Sequence, residues 1–274
     1  MLPQSPLLFY IEEIMGILRF RSILAIVLIS ACSSVFAACE QPLRIGVTAN
    51  YPPMVFKQDE RLAGIEIDLS RELQRLLECK LVYVELPFEQ LLSALQTDKV
   101  DIIMAGLSIT DSRKQSVSFA KPYMSLGQMA IIRKDSLTLH NKHPAAILAE
   151  GITAGYEEGS TGERFVERYR DTVELKGYPS AEVGLKKLQQ REIDIFIHDA
   201  PTSWRLASSR DHLDLISMYK LLTREDIAWA VSPSKPELLV ELNNGLDTMR
   251  TSGRLGDIIS RWIPVTVEVE NTGF

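Results

Sequence analysis

The sequence predicts an α/β fold of two lobes that face each other across a cleft and are joined by two crossing strands. Short apolar runs alternate with amphipathic helical segments in the first half of the chain, and the alternation restarts in the second half. Two longer extended segments, near residues 125–132 and 223–231, bracket the middle block. We therefore expect one lobe to be inserted into the other. The predicted boundaries are residues 41–124 plus 226–274 for lobe 1 and residues 125–225 for lobe 2.

The elements of the first half follow from β-branched runs and from apolar residues at helical spacing. Gly64 marks a turn, and Ile65, Leu69 and Leu73 after it lie on one side of a helix. The predicted elements are a strand at Leu43–Val47, a helix at Ile65–Leu77, a strand at Leu81–Glu85, a helix over residues 88–95 and a strand over residues 100–104. Strands that alternate with helices indicate a mostly parallel sheet.

The elements of the second half are predicted in the same way. They are an extended segment over residues 123–133, a strand over 152–156, a helix over 163–169, a helix over 181–190, a strand over 193–197, an extended segment over 227–231 and helices over 237–250 and 255–262. Loops after the strands of two facing parallel sheets would meet at a shared cleft, where such sheets bind ligands.

Residues 1–37 are predicted to be a signal peptide. Two arginines precede an apolar run over residues 23–29, which is too short to span a bilayer, and small residues at Ala37 suit a peptidase. Two alternatives stay open: translation from Met15, and a lipid-modified Cys32 after a stretch that resembles a bacterial lipobox. Each of these alternatives implies export.

After cleavage at Ala37 two cysteines remain, an even number in an oxidising compartment. Cys39 lies four residues before the first strand and Cys79 two residues before the second. If these strands are parallel neighbours, both cysteines lie at the same end of the sheet. We predict a Cys39–Cys79 disulfide; two unrelated thiols are the alternative.

Composition narrows the class of function. The 274 residues carry a net charge of −6 and no Lys/Arg run, which argues against a nucleic-acid partner. His140 and His143 lie in a short loop without further ligand residues, so no metal site is expected. Because no phosphate-binding loop or nucleophile motif occurs, we expect no cofactor and no catalytic residues.

The most informative motif is the stretch from Asp101 to Arg113. An apolar run breaks at Gly106, where a ligand can approach the backbone, and hydroxyl residues and an arginine follow. Ser108 and Thr110 offer hydrogen bonds, and the planar guanidinium of Arg113 matches a carboxylate. A solvated surface arginine is the common alternative.

Other loops contribute candidates that have their own simpler explanations. Tyr51 and Phe88 are either packing residues or walls of a binding slot. The Gly159-Ser-Thr161 turn is either a helix N-cap or an anion site, and Asp199 either caps a helix or pairs with an ammonium group. Together with Arg113 they form the complement of a zwitterion: a cation, an anion and an aromatic slot between them.

The chain resembles the periplasmic solute-binding proteins of the polar amino-acid uptake family from Leu43 to Trp262. The motifs that carry the resemblance are Arg44-Ile-Gly-Val47 with Tyr51-Pro-Pro53, Gly64-Ile-Glu-Ile-Asp-Leu69, Gly106-Leu-Ser-Ile-Thr-Asp-Ser-Arg113, Glu157-Glu-Gly-Ser-Thr161 and Asp194-Ile-Phe-Ile-His-Asp199. The resemblance implies the type II periplasmic-binding-protein fold, with a ligand cleft between its lobes.

The resemblance also implies roles for single residues. Arg113 matches the arginine that clamps the ligand α-carboxylate, helped by backbone N–H groups of Ser108 and Thr161. Asp199 matches the aspartate that takes the α-ammonium, helped by the Gly106 carbonyl and the Ser108 hydroxyl. Two aromatic residues enclose the ligand side chain. The implied ligand-binding set is Tyr51, Phe88, Gly106, Ser108, Arg113, Thr161 and Asp199.

Two departures bear on the ligand. Thr48 stands where binders of basic amino acids place an acidic residue, and Ala105 replaces a common serine. Because a buried ligand cation without an acidic partner is costly, we expect a neutral polar or acidic amino acid. Glu66 and Asp68 match acidic family positions, and we expect them to serve the turn and the helix N-terminus.

The predicted function is a non-enzymatic periplasmic receptor, expected to be a monomer, that binds a free amino acid and delivers it to an inner-membrane ABC transporter permease. Two alternatives stay open. One is an exported cyclohexadienyl or arogenate dehydratase on the same fold, and the other is a stand-alone amino-acid sensor.

Overall fold

The computed structural model describes residues 41–136, 147–208, 212–218 and 220–263. The predicted signal peptide, with its alternatives at Met15 and Cys32, and both histidines of the loop before residue 147 lie outside these ranges. Cys79 is buried and disulfide-bonded, whereas its predicted partner Cys39 lies outside the described residues. No helix in the described ranges is long and apolar enough to cross a membrane.

The strands in these ranges are short. In chain order they are β1 (Leu43–Val47), β2 (Asn50–Tyr51), β3 (Val55–Gln58), β4 (Arg61–Ala63), β5 (Leu81–Glu85), β6 (Ile102–Ile103), β7 (Ser118–Phe119), β8 (Met124–Leu126), β9 (Gln128–Arg133), β10 (Thr153–Glu157), β11 (Glu174–Tyr178), β12 (Ile195–Asp199), β13 (Leu215–Ser217), β14 (Glu225–Ile227) and β15 (Ala230–Val231).

The helices alternate with the strands. They are α1 (Ile65–Leu77), α2 (Leu91–Gln96), α3 (Asp111–Lys114), α4 (Thr161–Val166), α5 (Ala181–Gln189), α6 (Ala200–Ser208), α7 (Pro236–Thr251) and α8 (Arg254–Trp262). Two 3₁₀ turns accompany them, Phe88–Gln90 before α2 and Glu167–Tyr169 after α4.

The first sheet has the strand order β5-β1-β6-β15-β7. Strand β1 pairs in parallel with β5 and β6, so the loops after these three strands leave the sheet at the same edge. Strand β15 follows the second sheet in the chain, returns to the first sheet and pairs antiparallel with β6 and β7. The sheet is mostly parallel at its centre, as predicted, and its antiparallel part comes from the returning strand.

The second sheet has the order β11-β10-β12-β9-β13. Strands β10, β11 and β12 are parallel, and β9 is antiparallel to β12. Strand β13 pairs antiparallel with β9 and therefore runs in the same direction as β12. The carboxyl ends of β10 and β12 lie side by side, because Tyr156 is in register with Ile197. Glu157 and Asp199 therefore end neighbouring strands at one edge of this sheet.

The two sheets are connected by a pair of antiparallel strands, β8 and β14. Between β8 and β9, Gly127 passes so close to the facing segment that a Cβ atom would lie 1.9 Å from the carbonyl oxygen of Thr223. A glycine is therefore required at this crossing. The predicted lobe boundaries fall within the β8–β14 pair and stay a prediction.

The first sheet is packed on both faces. Helices α1, α7 and α8 cover one face with a core that includes Leu73, Leu246 and the fully buried Trp229. Helix α2 covers the other face with Leu91 and Leu95. Burial of such side chains is worth roughly 1.5–3 kcal/mol each and holds the sheet in place.

A polar network fixes the end of this sheet that lies opposite the loops after β1 and β6. Asp101 accepts hydrogen bonds from the Arg44 guanidinium (2.8 and 2.9 Å) and from Lys235 Nζ (2.6 Å). Burial of Asp101 opposes ionisation, but these hydrogen bonds outweigh it and lower the pKa of its carboxyl. The network thus connects Arg44 on β1 and Lys235, which precedes α7, to Asp101, which precedes β6.

Several elements differ from the expectation in their bounds. The helix expected over residues 88–95 starts as a 3₁₀ turn, and only Ile102–Ile103 of the strand expected over residues 100–104 are paired in a ladder. Gly127 divides the segment expected over residues 123–133 into β8 and β9, because the chain changes partner there. Helix α6, directly after Asp199, was not among the predicted elements.

Candidate functional site

Arg113 lies buried where the two sheets approach each other. Thr110 caps the short helix α3 by accepting a hydrogen bond from the backbone N–H of Arg113 (3.2 Å). This hydrogen bond fixes the position of the Arg113 backbone. The guanidinium donates to the carbonyl oxygens of Ser108 and Gly159, both at 2.9 Å, and stands 5.6 Å from the Phe88 ring centroid. One arginine thus connects loops that follow strands of different sheets.

Within the described part of the chain, the charge of Arg113 has no direct counterion. Burial lowers the pKa of its guanidinium to about 10, although the nearby Asp199 and Glu225 carboxylates oppose the shift. Its two described hydrogen-bond acceptors are neutral backbone carbonyls, and no described carboxylate forms an ion pair with it. A buried cation in this state is suited to receive an anionic ligand group.

The loop that carries Arg113 is fixed to the returning chain. Leu107 accepts a backbone hydrogen bond from Ala228 (3.1 Å), and Ile109 donates one to Asp226 (2.8 Å). Gly106 has a φ of +67°, and a Cβ there would lie 2.7 Å from Cε1 of Tyr51. The glycine in the predicted motif is thus required both by its backbone conformation and by the aromatic ring beside it.

Glu66 is a buried acceptor beneath this loop. Its Oε1 accepts from the Gly106 N–H and the Tyr123 hydroxyl, both at 2.7 Å, and its Oε2 accepts from Trp229 Nε1 at 2.9 Å. Burial raises the pKa of the carboxyl, and the three donors oppose the rise. The expectation that Glu66 is structural agrees with these contacts, but its side chain points into the core and anchors the ligand loop (residues 106–113) instead of serving the turn and the helix N-terminus.

Asp199 forms the opposite pole of the site. Its Oδ2 accepts from the Tyr51 hydroxyl at 2.6 Å, and its Oδ1 accepts from Nε2 of Gln128. Burial raises the pKa of the carboxyl, the neighbouring Glu225 raises it further, and His198, Tyr51 and Gln128 lower it. Both described donors are neutral, so this carboxylate, like Arg113, has no directly bonded counterion.

Thr161 links this pole to the crossing strands. Ser160 is the N-cap of α4, accepting from the Glu163 N–H at 3.1 Å, so the capping explanation of the Gly-Ser-Thr turn applies to it. Thr161 accepts from Gln128 Nε2 (2.9 Å) and donates to Glu225 Oε2 (2.6 Å). Glu225 lies on β14, so the chain of hydrogen bonds reaches the connection between the sheets.

The structure brings the predicted set together. Tyr51 touches Asp199, Phe88 faces Arg113, Gly106 lies against Tyr51, the Ser108 carbonyl binds Arg113, and Thr161 is joined to Asp199 through Gln128. Thr48 donates to the carbonyl oxygen of Leu86 (2.9 Å), and Ala105 belongs to the core on the α2 side of the first sheet. Among the described residues, no cluster of His, Cys, Asp and Glu is arranged to hold a metal ion.

Four residues of the site were missed by sequence reasoning. Gln128 and Glu225 lie on strands β9 and β14, outside the quoted motifs, and reach the site only because the two segments cross. Glu157 and His198 stand inside quoted motifs without an assigned role and form a pair, with Nε2 of His198 2.7 Å from Oε2 of Glu157. The expectation of a neutral polar or acidic ligand rested on the lack of an acidic partner for a basic side chain, and the structure places two further carboxylates, those of Glu157 and Glu225, next to the predicted residues.

Comparisons with known proteins identify the family of this chain. The model of the bacterial extracellular solute-binding proteins, family 3, matches residues 43–265. A protein of Campylobacter jejuni named a probable histidine-binding protein is 28% identical over 222 residues, which cover 80% of this chain and 84% of that protein.

Solved structures agree as well. A binding component of an ABC transporter from Wolinella succinogenes, complexed with lysine, is 26% identical with a TM-score of 0.77 over 83% of this chain and 97% of its own. An ancestral amino acid-binding protein, a precursor of cyclohexadienyl dehydratase, is 27% identical with a TM-score of 0.74 over 81% of this chain and 95% of its own. The predicted two-lobed α/β fold of type II is confirmed.

Proposed function

Because this chain belongs to the bacterial extracellular solute-binding proteins of family 3, we propose that it is an extracytoplasmic receptor that closes on a free amino acid and delivers it to an ABC transporter. The motifs predicted a resemblance to this family, and the match over residues 43–265 shows that the chain is a member. The relatives support an amino-acid-binding receptor, and delivery to a transporter is the part that we add.

One observation carries the proposal: the buried Arg113 and the half-buried Asp199 have opposite charges, and each is bound only by neutral groups among the described residues. A buried charge without a counterion is costly, and a zwitterion supplies both missing partners at once. The ligand α-carboxylate would take the place of the Gly159 carbonyl on Arg113. Its α-ammonium would take the place of the Tyr51 hydroxyl on Asp199.

The same replacements explain how binding would close the lobes. Tyr51 and Arg113 belong to the part of the chain that builds the first sheet, whereas Asp199 and Gly159 follow strands of the second. A ligand held by both poles favours the closed arrangement, because only that arrangement brings the two charges to it together.

The class of amino acid is a further part of the proposal. The expected preference for neutral polar or acidic ligands has no support from the relatives, which are named for histidine and complexed with lysine. Its premise, the lack of an acidic partner for a basic side chain, also has no support, since Glu225 adds negative charge around Asp199 and Glu157 adds it around Tyr51. We therefore propose a basic amino acid.

Calorimetric titration of the purified chain with each common amino acid tests the receptor function. We expect one or a few ligands to bind, and Arg113→Met to lower their affinity by roughly 2–5 kcal/mol, the cost of removing one partner of a buried charge pair. Arg133→Met is the matched control, because Arg133 is also buried and also donates to backbone carbonyls, those of Leu188 and Ile193. Arg113→Met with unchanged affinity would contradict the assignment.

The dehydratase alternative rests on the ancestral neighbour, a binding protein that is a precursor of such an enzyme. Incubation of the chain with prephenate or arogenate, followed by chromatography of the products, separates the two functions. Turnover that is lost in Asp199→Asn would replace the receptor by an enzyme. We expect none.

A further inference from the structure

The Glu157–His198 pair lies beside the zwitterion site but belongs to neither pole. Glu157 ends β10, and His198 is the neighbour of Asp199 on the adjacent strand β12. Nε2 of the buried His198 lies 2.7 Å from Oε2 of Glu157, whose side chain is 12% exposed. No described donor reaches Oε1 of Glu157, so half of this carboxylate remains available for a ligand.

The surroundings of His198 place the pair next to the aromatic slot. Its ring stacks on Phe196 (centroids 5.7 Å apart, 14° between planes) and meets the Tyr51 ring edge-on at 5.6 Å. The Tyr51 hydroxyl in turn binds Asp199. Glu157 therefore stands one strand away from the ammonium pole, on the Tyr51 side, where the side chain of a bound amino acid would extend.

The charges around Tyr51 agree with this placement. Burial is the largest cause that raises the pKa of the Tyr51 phenol, and the carboxylates of Asp199 and Glu157 raise it further. The field of Glu157 thus reaches the wall of the slot. Glu158, by contrast, is exposed and turns to the other side of the strand, where its Cγ lies 3.0 Å from the position of a Cβ on Gly177.

The balance of charge in the cleft favours a cationic side chain. Among the groups that are not exposed, Asp199, Glu225 and Glu157 contribute three carboxylates. They face two cationic groups, the Arg113 guanidinium and the His198 imidazole, whose pKa Glu157 raises against the effect of burial. The two α-groups of an amino acid add no net charge. An uncompensated negative charge therefore remains, and a positively charged ligand side chain would neutralise it.

We infer that Glu157, oriented by His198, receives the positively charged end of a basic amino-acid side chain and thereby selects the ligand. This inference rests on the proposed amino-acid receptor. His198 acts as a positioning residue, because it touches the carboxylate rather than the ligand. Binders of basic amino acids place an acidic residue in the first loop, where this chain has Thr48. Glu157 would take over the role of that acidic residue.

The test compares arginine, lysine and glutamine as calorimetric ligands of the purified chain and of Glu157→Gln. We expect the variant to lose about 10- to 100-fold in affinity for arginine and lysine, the equivalent of one charge-assisted hydrogen bond. Its affinity for glutamine should change by less than about threefold. Glu158→Gln, one residue along and on the opposite side of the strand, should leave all three affinities unchanged.

The outcomes distinguish this inference from the proposed function. If the wild-type chain binds no amino acid, the receptor proposal fails. If it binds amino acids but prefers glutamine to both basic ligands, or if Glu157→Gln weakens all three ligands equally, only the selection by Glu157 is overturned. Should Glu157→Gln fail to fold, Glu157→Asp draws the carboxylate back by one methylene and must lower arginine and lysine affinity selectively for the inference to stand.

Discussion

Alanine at Gly106 would test how the ligand loop is built, because two separate constraints act at this residue. Its φ of +67° lies in the left-handed region, and an added Cβ would lie 2.7 Å from Cε1 of the buried Tyr51 ring. Gly253 offers a matched comparison: its φ is +77°, but nothing lies within 4 Å of an added Cβ. Gly253→Ala therefore carries the backbone strain without the collision.

The magnitudes follow from these contacts. A left-handed alanine costs about 1 kcal/mol relative to glycine, and both variants share this cost. In Gly106→Ala the ring must move as well, which breaks the 2.6 Å hydrogen bond from Tyr51 to Asp199. A hydrogen bond to a charged group contributes about 1.5–3 kcal/mol, so the total is about 3 kcal/mol.

Thermal unfolding measures the difference. For a chain of this size about 1 kcal/mol corresponds to roughly 2–4 °C, so Gly253→Ala should lower Tm by about 2–4 °C and Gly106→Ala by about 6–12 °C. In a Tyr51→Ala background the collision is gone, and Gly106→Ala should cost no more than Gly253→Ala. Equal shifts for the two glycine variants in the wild-type background would refute the collision with Tyr51.

Three further predictions concern residues outside the ligand contacts. Asp101→Asn should lose about 2 kcal/mol of stability at neutral pH, whereas Asp111→Asn, in an exposed ion pair, should change it by less than about 0.5 kcal/mol. Because the folded pKa of Asp101 is lowered, its contribution is complete above the unfolded pKa of about 3.9 and is lost as pH falls toward the folded value. Urea midpoints across pH 2–6 should therefore fall more steeply in the wild type than in Asp101→Asn, in which other carboxylates of lowered pKa, such as Glu72, remain. Glu66→Gln should lower the free energy of unfolding by about 2 kcal/mol in urea, because the amide NH₂ group would face donors that now bind a carboxylate oxygen. An unchanged urea midpoint would contradict the role of this carboxylate. Gly127→Ala should cost about 3 kcal/mol or more in the same assay, since its Cβ would lie 1.9 Å from a carbonyl oxygen of the facing segment, and wild-type stability would show that the crossing can widen.

The elements that sequence predicts best are those whose pattern is local. Helix Ile65–Leu77 and strands Leu43–Val47 and Leu81–Glu85 have the expected bounds, because their burial follows helical or strand periodicity along one continuous segment. The strand expected over residues 100–104 is paired in a ladder only at Ile102–Ile103, since pairing depends on the length of its neighbours β1 and β15. The division of the long extended segment at Gly127 likewise depends on a partner distant in the chain.

The site divides in the same way. Arg113, Asp199 and Tyr51 stand in loops directly after strands, so a parallel fold brings them toward one cleft, and their chemistry suggests a zwitterion. Glu225 and Gln128 stand on the strands at the crossing and carry no motif. Their place beside Thr161 depends on how the crossing segments pass each other.

The sequence by itself determined the two-lobed α/β class, the family, and the opposite charges that make the cleft a complement of an amino acid, because each of these is written in local periodicity and motif spacing. Only the tertiary structure decided the partners of those charges. It turned Glu66 inward beneath the ligand loop, and it set Glu157 against His198 beside Tyr51. The physical reason is that burial and hydrogen bonding between residues far apart in the chain depend on strand register and on close approach at glycines, which no local pattern encodes.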